Sequence, residues 1–587
     1  MTLRTSTLIF FLSLAALTSR GQLPPGFTGK QAANVQVPAT VTRYIPPQRI
    51  LWQNTENKDF IRNLQRVLLP GNGQADLANR EMAVLKSTEK LRPAFLIDFG
   101  KELHGGLQIV TGMYPGNKPV SLRIRFGESV GEAMSETSGA HTATNDHAMR
   151  DMVVQVPWLG RLEIGDTGFR FVRIDLLDAP VELQIKEISA AFRFRDIPYL
   201  GSFHSSDTLL NRIWQTGAYT VHLNMQDYLW DGIKRDRLVW VGDMHPEVAS
   251  IAAVFGYNDV VPKSLDLSRD ITPVPQWMNG ISTYSMWWII IHRDWYFHNG
   301  NLDYLKEQRA YLRQLLPHII SKIGPDNREK LDGTRFLDWP SSENKPGVDA
   351  GLQAMMVWAL KAGSDICKIL GEDALKKDCD KAVERLKKYV PPHNNSKQAA
   401  ALLALTEIMP ADLANREVLS VGGAENFSTF YGYYMLQAMA KAGDYTGALN
   451  AIRSYWGAML SLGATTFWED FNLRWVPGAS RIDELPRAGR KDIHGDFGGY
   501  CYVGFRHSLC HGWASGPTPW LTEHVLGIKV IEPGCKVVRI SPNLGDLKFA
   551  EGTFPTPSGI LKVKHTKTAD GKIKSEINAP ADIKIIQ

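Results

Sequence analysis

The run Leu209-Leu-Asn-Arg-Ile-Trp-Gln-Thr-Gly-Ala-Tyr-Thr-Val221 marks a change of period in the chain. Leu209, Leu210, Ile213, Trp214, Ala218 and Val221 recur three or four residues apart, the spacing that lines one face of an α-helix. Leu352, Met355, Met356, Ala359, Leu360, Ile366 and Leu370 follow the same rule. Breakers rich in Asn, Gly and Asp separate such segments, among them His298-Asn-Gly-Asn-Leu-Asp303 and Ala442-Gly-Asp444. Roughly ten to twelve helical segments are expected before residue 526. Many are apolar on more than one face, as the inner ring of a double-layered barrel requires. The pattern predicts a toroid of paired helices over 201–526.

On both sides the period is two. Val120-Ser-Leu-Arg-Ile-Arg-Phe126 alternates strictly and Phe169-Arg-Phe-Val-Arg-Ile174 nearly so, with turns such as Tyr114-Pro-Gly-Asn117 between the runs. Residues 22–200 are therefore expected to form a β-sandwich. Strand signals return after Gly527 in Val537-Val-Arg-Ile-Ser541 and Ile560-Leu-Lys-Val-Lys-His565. A second sandwich over 527–587 is too short to be comfortable alone and is expected to pack on the helices. A chain of 587 residues is too long for one core, so a multidomain protein is expected on length as well.

The formal net charge is +5 and no Lys/Arg block stands out, so nucleic acid is not an expected partner. Arg4, the apolar run Leu8 to Leu17 and Ser19-Arg20-Gly21 read as a signal peptide over 1–21, which predicts a secreted or periplasmic protein. No later segment approaches the 18 or so unbroken apolar residues of a membrane span. Five cysteines without CxxC or CxxH spacing indicate neither a zinc site nor a disulfide framework, leaving room for one disulfide. No cofactor or metal is expected.

Asp231-Gly-Ile-Lys-Arg-Asp-Arg-Leu-Val-Trp-Val-Gly-Asp243 packs carboxylates, guanidiniums and an indole into one short run. A pyranose needs bidentate hydrogen-bonding groups for its hydroxyls, an aromatic face such as Trp240 for its ring, and an acid to protonate a departing glycosidic oxygen. The 16 Trp, 18 Tyr and 23 Phe suit carbohydrate stacking, although most must be core. Trp339, Trp468, Trp475, Trp287 and Trp288 are the further candidates for sugar platforms.

Further fragments stand in a fixed order: Asp98-Phe-Gly100 with Gly105-Gly106, Arg125-Phe-Gly-Glu128, Gly168-Phe-Arg-Phe-Val-Arg173, Leu337-Asp-Trp-Pro340, Gly463-Ala-Thr-Thr-Phe-Trp-Glu469, Ser508-Leu-Cys-His-Gly-Trp-Ala-Ser-Gly-Pro517, then Gly527-Ile528, Pro533-Gly534, Pro542 and Gly559. With Asp231 to Asp243 they make the chain resemble the bacterial α-L-rhamnosidases, family 78 of the glycoside hydrolases. The resemblance implies an (α/α)6 six-hairpin barrel flanked by β-sandwiches, the first jelly-roll-like. It implies an inverting exo-glycosidase acting on terminal α-L-rhamnosyl or related deoxy-sugar residues of an oligosaccharide or polysaccharide. Asp231, Arg235, Trp240 and Asp243 become substrate-binding positions, Glu469 the general base, and His511 a residue lining the sugar pocket.

One position departs from the pattern. The family's general acid is a Glu directly after Arg-Asp, whereas here Arg237 follows Asp236 and the motif is one residue shorter. Arg237 stays protonated and cannot donate. Either Asp236, Asp243 or Glu247 has become the acid, or the enzyme cleaves a different sugar, or the site binds sugar without turnover. Asp243 and Glu247 share a helix face at i, i+4 and would raise each other's pKa, while Asp236 between two arginines would be held down, so the first two are favoured. A further reading takes Arg235 and Arg237 as a pair that recognises uronate-containing oligosaccharides.

Overall fold

Strand Val120–Gly127 turns Leu122, Ile124 and Phe126 into a sealed core, as its alternation predicts. It belongs to a nine-stranded antiparallel sheet built from Val41 to Phe194. The central strand Ala94–Thr111 pairs with Arg161–Leu176 and with Glu182–Phe194, and its register shifts between Asp98 and Leu103 and between Gly105 and Leu107. Such irregularities bend a strand, so three long strands carry the sheet around one core of Phe95, Ile97, Leu107, Ile109, Val172 and Ile174. Alternation is weaker in Phe169–Ile174 because both faces are covered: Phe171 packs with Val130 and Ala133 of the short helix Val130–Met134 on the side away from that core.

The structure is a computed structural model that describes residues 38–78, 80–137, 144–500 and 502–587, of which 40–587 form one compact unit. The expected signal peptide lies outside the described residues.

Helices follow from Thr208–Asn224 onward, and the breakers between them are caps. Gly300, at φ 71°, closes Ser282–Asn299, and the Asn301 side chain accepts the Tyr304 amide to open the next helix. Lys345–Leu370 and Asp373–Leu386 make a hairpin across Gly371, as do Gly432–Lys441 and Tyr445–Ser461 across Ala442-Gly-Asp444. Ser282–Asn299 is buried on nearly every face. Trp287 and Trp288 lie there at 0 % exposure, so they are core residues and not the sugar platforms their position beside each other suggested. No helix among the described residues is long and apolar enough to cross a membrane.

The C-terminal strands solve their size problem by borrowing. Phe549–Thr556, Gly559–Lys567 and Ile573–Asn578 form a sheet whose fourth strand is Ser202–Ser205, contributed from just before the helical region. Residues 527–587 are thus not a self-contained sandwich. Cys367, Cys379, Cys510 and Cys535 are free and buried, and Cys501 lies outside the described residues.

Candidate active site

The Asp231–Asp243 run is a loop folded on its own first carboxylate. Asp231 accepts the amides of Asp236 at 2.8 Å and Leu238 at 3.0 Å, one on each oxygen, and its carbonyl accepts the Gly512 amide. Expected to bind substrate, Asp231 instead holds the loop's shape from a buried position. Burial, with the charges of Asp243 and Asp236 and against that of His511, pushes its carboxyl up to about 7.

Asp243 precedes the helix Met244–Val254 but makes no capping bond. One oxygen accepts Tyr284 Oη at 3.2 Å and the other meets His511 Nε2 at 3.0 Å. Gly242 is required beside it, because a Cβ there would stand 2.3 Å from the Tyr284 ring. Glu247, one turn on, is fully buried, and its carboxylate lies where a side chain on Gly512 would be. Burial and the carboxylates of Asp243 and Asp231 drive its pKa well up, as the i, i+4 argument predicted. Yet a sealed carboxyl cannot reach a substrate, so Glu247 is not placed to be the acid, nor is it on an exposed helix face.

Asp236 is the one carboxylate of this set that reaches open space, with 16 % of its side chain exposed. The Trp240 indole N–H donates to one oxygen at 3.2 Å; Arg235 and His147 Nε2 meet the other at 3.1 and 3.2 Å. Asp236 is not bracketed by two guanidiniums. Arg237 adopts φ 65° and turns away to Asp166 of the sandwich at 2.9 Å, with its guanidinium over the Trp230 ring. Arg237 is therefore a domain anchor and not a substrate ligand, so Arg235 and Arg237 do not act as a pair. Arg235 stays at the site, donating to the Arg506 carbonyl and lying 5.6 Å from the Tyr502 ring centre.

Glu469 sits on the other side of His511. Its Oε2 accepts the Ser508 amide at 3.0 Å, and its Oε1 lies 3.9 Å from His511 Nδ1. Burial works against charge on His511, but Glu469, Asp243 and Asp231 hold its pKa up at about 9, so an imidazolium joins the two carboxylates below the cleft at neutral pH. Among the aromatic candidates, Trp240 and Trp339 are partly exposed walls, Trp339 stacking on Tyr500 at 6.1 Å. Trp475 is half-buried against Phe497. Trp468 is 1 % exposed and packs its ring on Phe471, so it is core and not a platform.

Sequence reasoning missed Tyr284, Tyr502 and His147, which come from distant segments and carry no local signal. It also passed over Lys234, inside the loop itself. The Lys234 ammonium is buried between Glu128 at 3.0 Å and Glu132 at 3.3 Å of the sandwich and donates to the carbonyls of Phe505 and His507. Glu128 also accepts the Leu509 amide at 2.7 Å. Glu128, Glu132 and His494 bring ligand-type atoms within 4.8 Å of one another, but Lys234 already supplies the positive charge there.

The family model for the bacterial alpha-L-rhamnosidase 6 hairpin glycosidase domain matches residues 198–525, and that for the bacterial alpha-L-rhamnosidase C-terminal domain matches 527–585. The chain belongs to this family of six-hairpin glycosidases. A curated relative named alpha-L-rhamnosidase, from Alteromonas sp. (strain LOR), is 26% identical over 81% of this chain and 54% of its own length. The chain spans about half the length of the curated relatives it matches. In fold it is similar to the GH78 family rhamnosidase of Bacillus sp. GL1, with a TM-score of 0.70 at 23% identity over 89% of this chain and 55% of that one. A rhamnosidase from Klebsiella oxytoca solved with rhamnose bound gives 0.63 at 18% identity, covering 83% of this chain and 96% of that one.

Proposed function

We propose that the protein is a secreted, exo-acting α-L-rhamnosidase that inverts the anomeric centre, with Asp236 as general acid and Glu469 as general base. The observation that carries this reading is the division of labour among the carboxylates: Asp231 and Asp243 are bound into the frame, Glu247 is sealed, and of these four Asp236 alone keeps an appreciable part of its side chain exposed. Asp236 delivers a proton to the glycosidic oxygen as its bond to the anomeric carbon breaks. Glu469 takes a proton from the water that attacks the opposite face. Trp240 and Arg235 fix the Asp236 carboxyl, and His147 Nε2 meets the same oxygen as Arg235. Secretion rests on the Arg4 to Gly21 signal-like stretch.

Proton NMR of nitrophenyl α-L-rhamnoside hydrolysis tests the mechanism. The β anomer is expected as first product, and Glu469→Gln is expected to lose roughly 10²-fold or more in turnover. First formation of the α anomer would contradict inversion. Sugar binding without any turnover would favour a carbohydrate-binding homologue instead.

A further inference from the structure

Asp236 is met by a residue of the other domain. Residues 144–150 lead into the strand Asp151–Val156 of the sandwich, and Asn145 sets their course: its side-chain oxygen accepts the amides of Arg150 at 2.9 Å and Asp151 at 3.1 Å, and its side-chain amide donates to the Asp151 carbonyl. The next residue, Asp146, accepts Arg506 Nε at 2.8 Å, a tie to the segment that precedes Ser508. His147 is thereby carried across the domain boundary. Its Nε2 stands 3.2 Å from Asp236 Oδ1, 3.5 Å from Asp146 Oδ2 and 3.3 Å from Arg506 Nη2. With 26 % of its side chain exposed, the imidazole touches both solvent and the carboxylate assigned as the acid.

A carboxyl ordinarily gives up its proton near pH 4, whereas a general acid must still hold one when the substrate arrives. Among the described residues three side chains meet the Asp236 carboxylate, and they differ in what they can supply. Arg235 stays charged and the Trp240 indole is a donor alone, so neither can hand over a proton. An imidazole takes up and releases one near neutral pH. Resting on the reading of Asp236 as the acid, we propose that Asp236 and His147 hold the acid proton as a pair, which makes His147 of the sandwich a positioning residue of the reaction. The proton lies on the hydrogen bond between Nε2 and Oδ1. From Asp236 it passes to the glycosidic oxygen, which keeps the electron pair of the bond it loses to the anomeric carbon, and His147 is left neutral beside a carboxylate. A solvent proton then returns to Nε2, while Glu469 releases to solvent the proton it took from the attacking water, so the turnover balances. The charged groups around Nε2 are Asp146 on its own segment, Arg235 and Asp236 on the loop, and Arg506 on the third segment.

The pH profile of kcat/KM on a rhamnosyl disaccharide tests the pair. His147→Gln keeps an N–H for Oδ1 but cannot carry a proton, and it is expected to move the alkaline limb of the profile about one pH unit or more toward acid. At pH 7 its kcat on the disaccharide is expected to fall about tenfold or more, with KM changed less than about twofold and a far smaller loss on nitrophenyl α-L-rhamnoside. His147→Gly leaves room at the site, and added imidazole is expected to restore disaccharide hydrolysis in this variant but not in the double variant that also carries Asp236→Asn. An unmoved limb in His147→Gln, or no rescue of His147→Gly, overturns the proposal and leaves Asp236 as the acid if Asp236→Asn still loses the disaccharide selectively. Equal losses for Asp236→Asn on the two substrates remove the acid and the pair together, and a selective effect of His147 would then belong to His147 alone. A protein that turns over neither substrate removes the glycosidase reading and the pair with it.

Discussion

At the scale of single residues, what separates Asp236 from Asp231 and Asp243 is where its oxygens point. Those of Asp231 accept backbone amides and those of Asp243 meet Tyr284 and His511, whereas Asp236 is held by Trp240, Arg235 and His147 at the edge of open space. His511 is the other decisive residue, because it carries charge between carboxylates that would otherwise repel. An imidazole titrates near 6.5 in an unfolded chain, and in the fold it is held at about 9. Between those values the folded protein binds more protons, so this contribution to stability is complete below about pH 6.5 and disappears as pH rises through about 9. Urea midpoints recorded from pH 6 to 9.5 should therefore fall more steeply in the unmodified protein than in His511→Gln. Parallel slopes would show that the imidazolium is not held by its neighbours.

At the scale of elements, the loop Asp231–Asp243 is positioned by the sandwich as much as by the helices. Lys234 reaches back to Glu128 and Glu132, and Arg237 to Asp166, so two residues of the motif are interdomain ties. Gly168 allows the approach, since a Cβ there would stand 2.7 Å from Ile233. Removing Lys234 leaves buried carboxylates facing each other, and Lys234→Met is expected to cost about 3–5 kcal/mol in urea unfolding, with partial recovery on adding Glu128→Gln. A loss under about 1 kcal/mol would mean that the tie is unimportant. These ties explain which parts of the motif were legible in sequence. Hydrogen-bonding residue types announced a polar site around Asp231, Arg235, Trp240 and Asp243. Nothing in their spacing revealed that Lys234 and Arg237 turn toward the N-terminal domain, because that depends on Glu128, Glu132 and Asp166, at least 71 residues upstream.

At the scale of the whole molecule, periodicity was enough to place the helical region between two β regions, since period-two and period-3.6 patterns bury different faces. It could not show that the last sheet takes Ser202–Ser205 as its fourth strand, a pairing between segments some 350 residues apart. Nor could it tell Trp287, Trp288 and Trp468, which fill the core, from Trp240 and Trp339, which stay partly exposed; an indole reads alike in both settings until its neighbours are known. The assembled chain puts the frame of the site under three separate segments, the loop after Asp231, the turn at Glu469 and the stretch from Ser508 to Gly512. The sandwich closes over them through Glu128.

The assignment of Asp236 as the acid can be tested by its dependence on the leaving group. A nitrophenolate departs without protonation and a sugar alkoxide does not, so the true acid matters mainly for the second. Asp236→Asn is expected to lose roughly 10² to 10⁴ in kcat on a rhamnosyl disaccharide and far less on nitrophenyl α-L-rhamnoside, while Asp243→Asn loses both activities together. Equal losses for Asp236→Asn on the two substrates, or a selective loss for Asp243→Asn, would contradict the account.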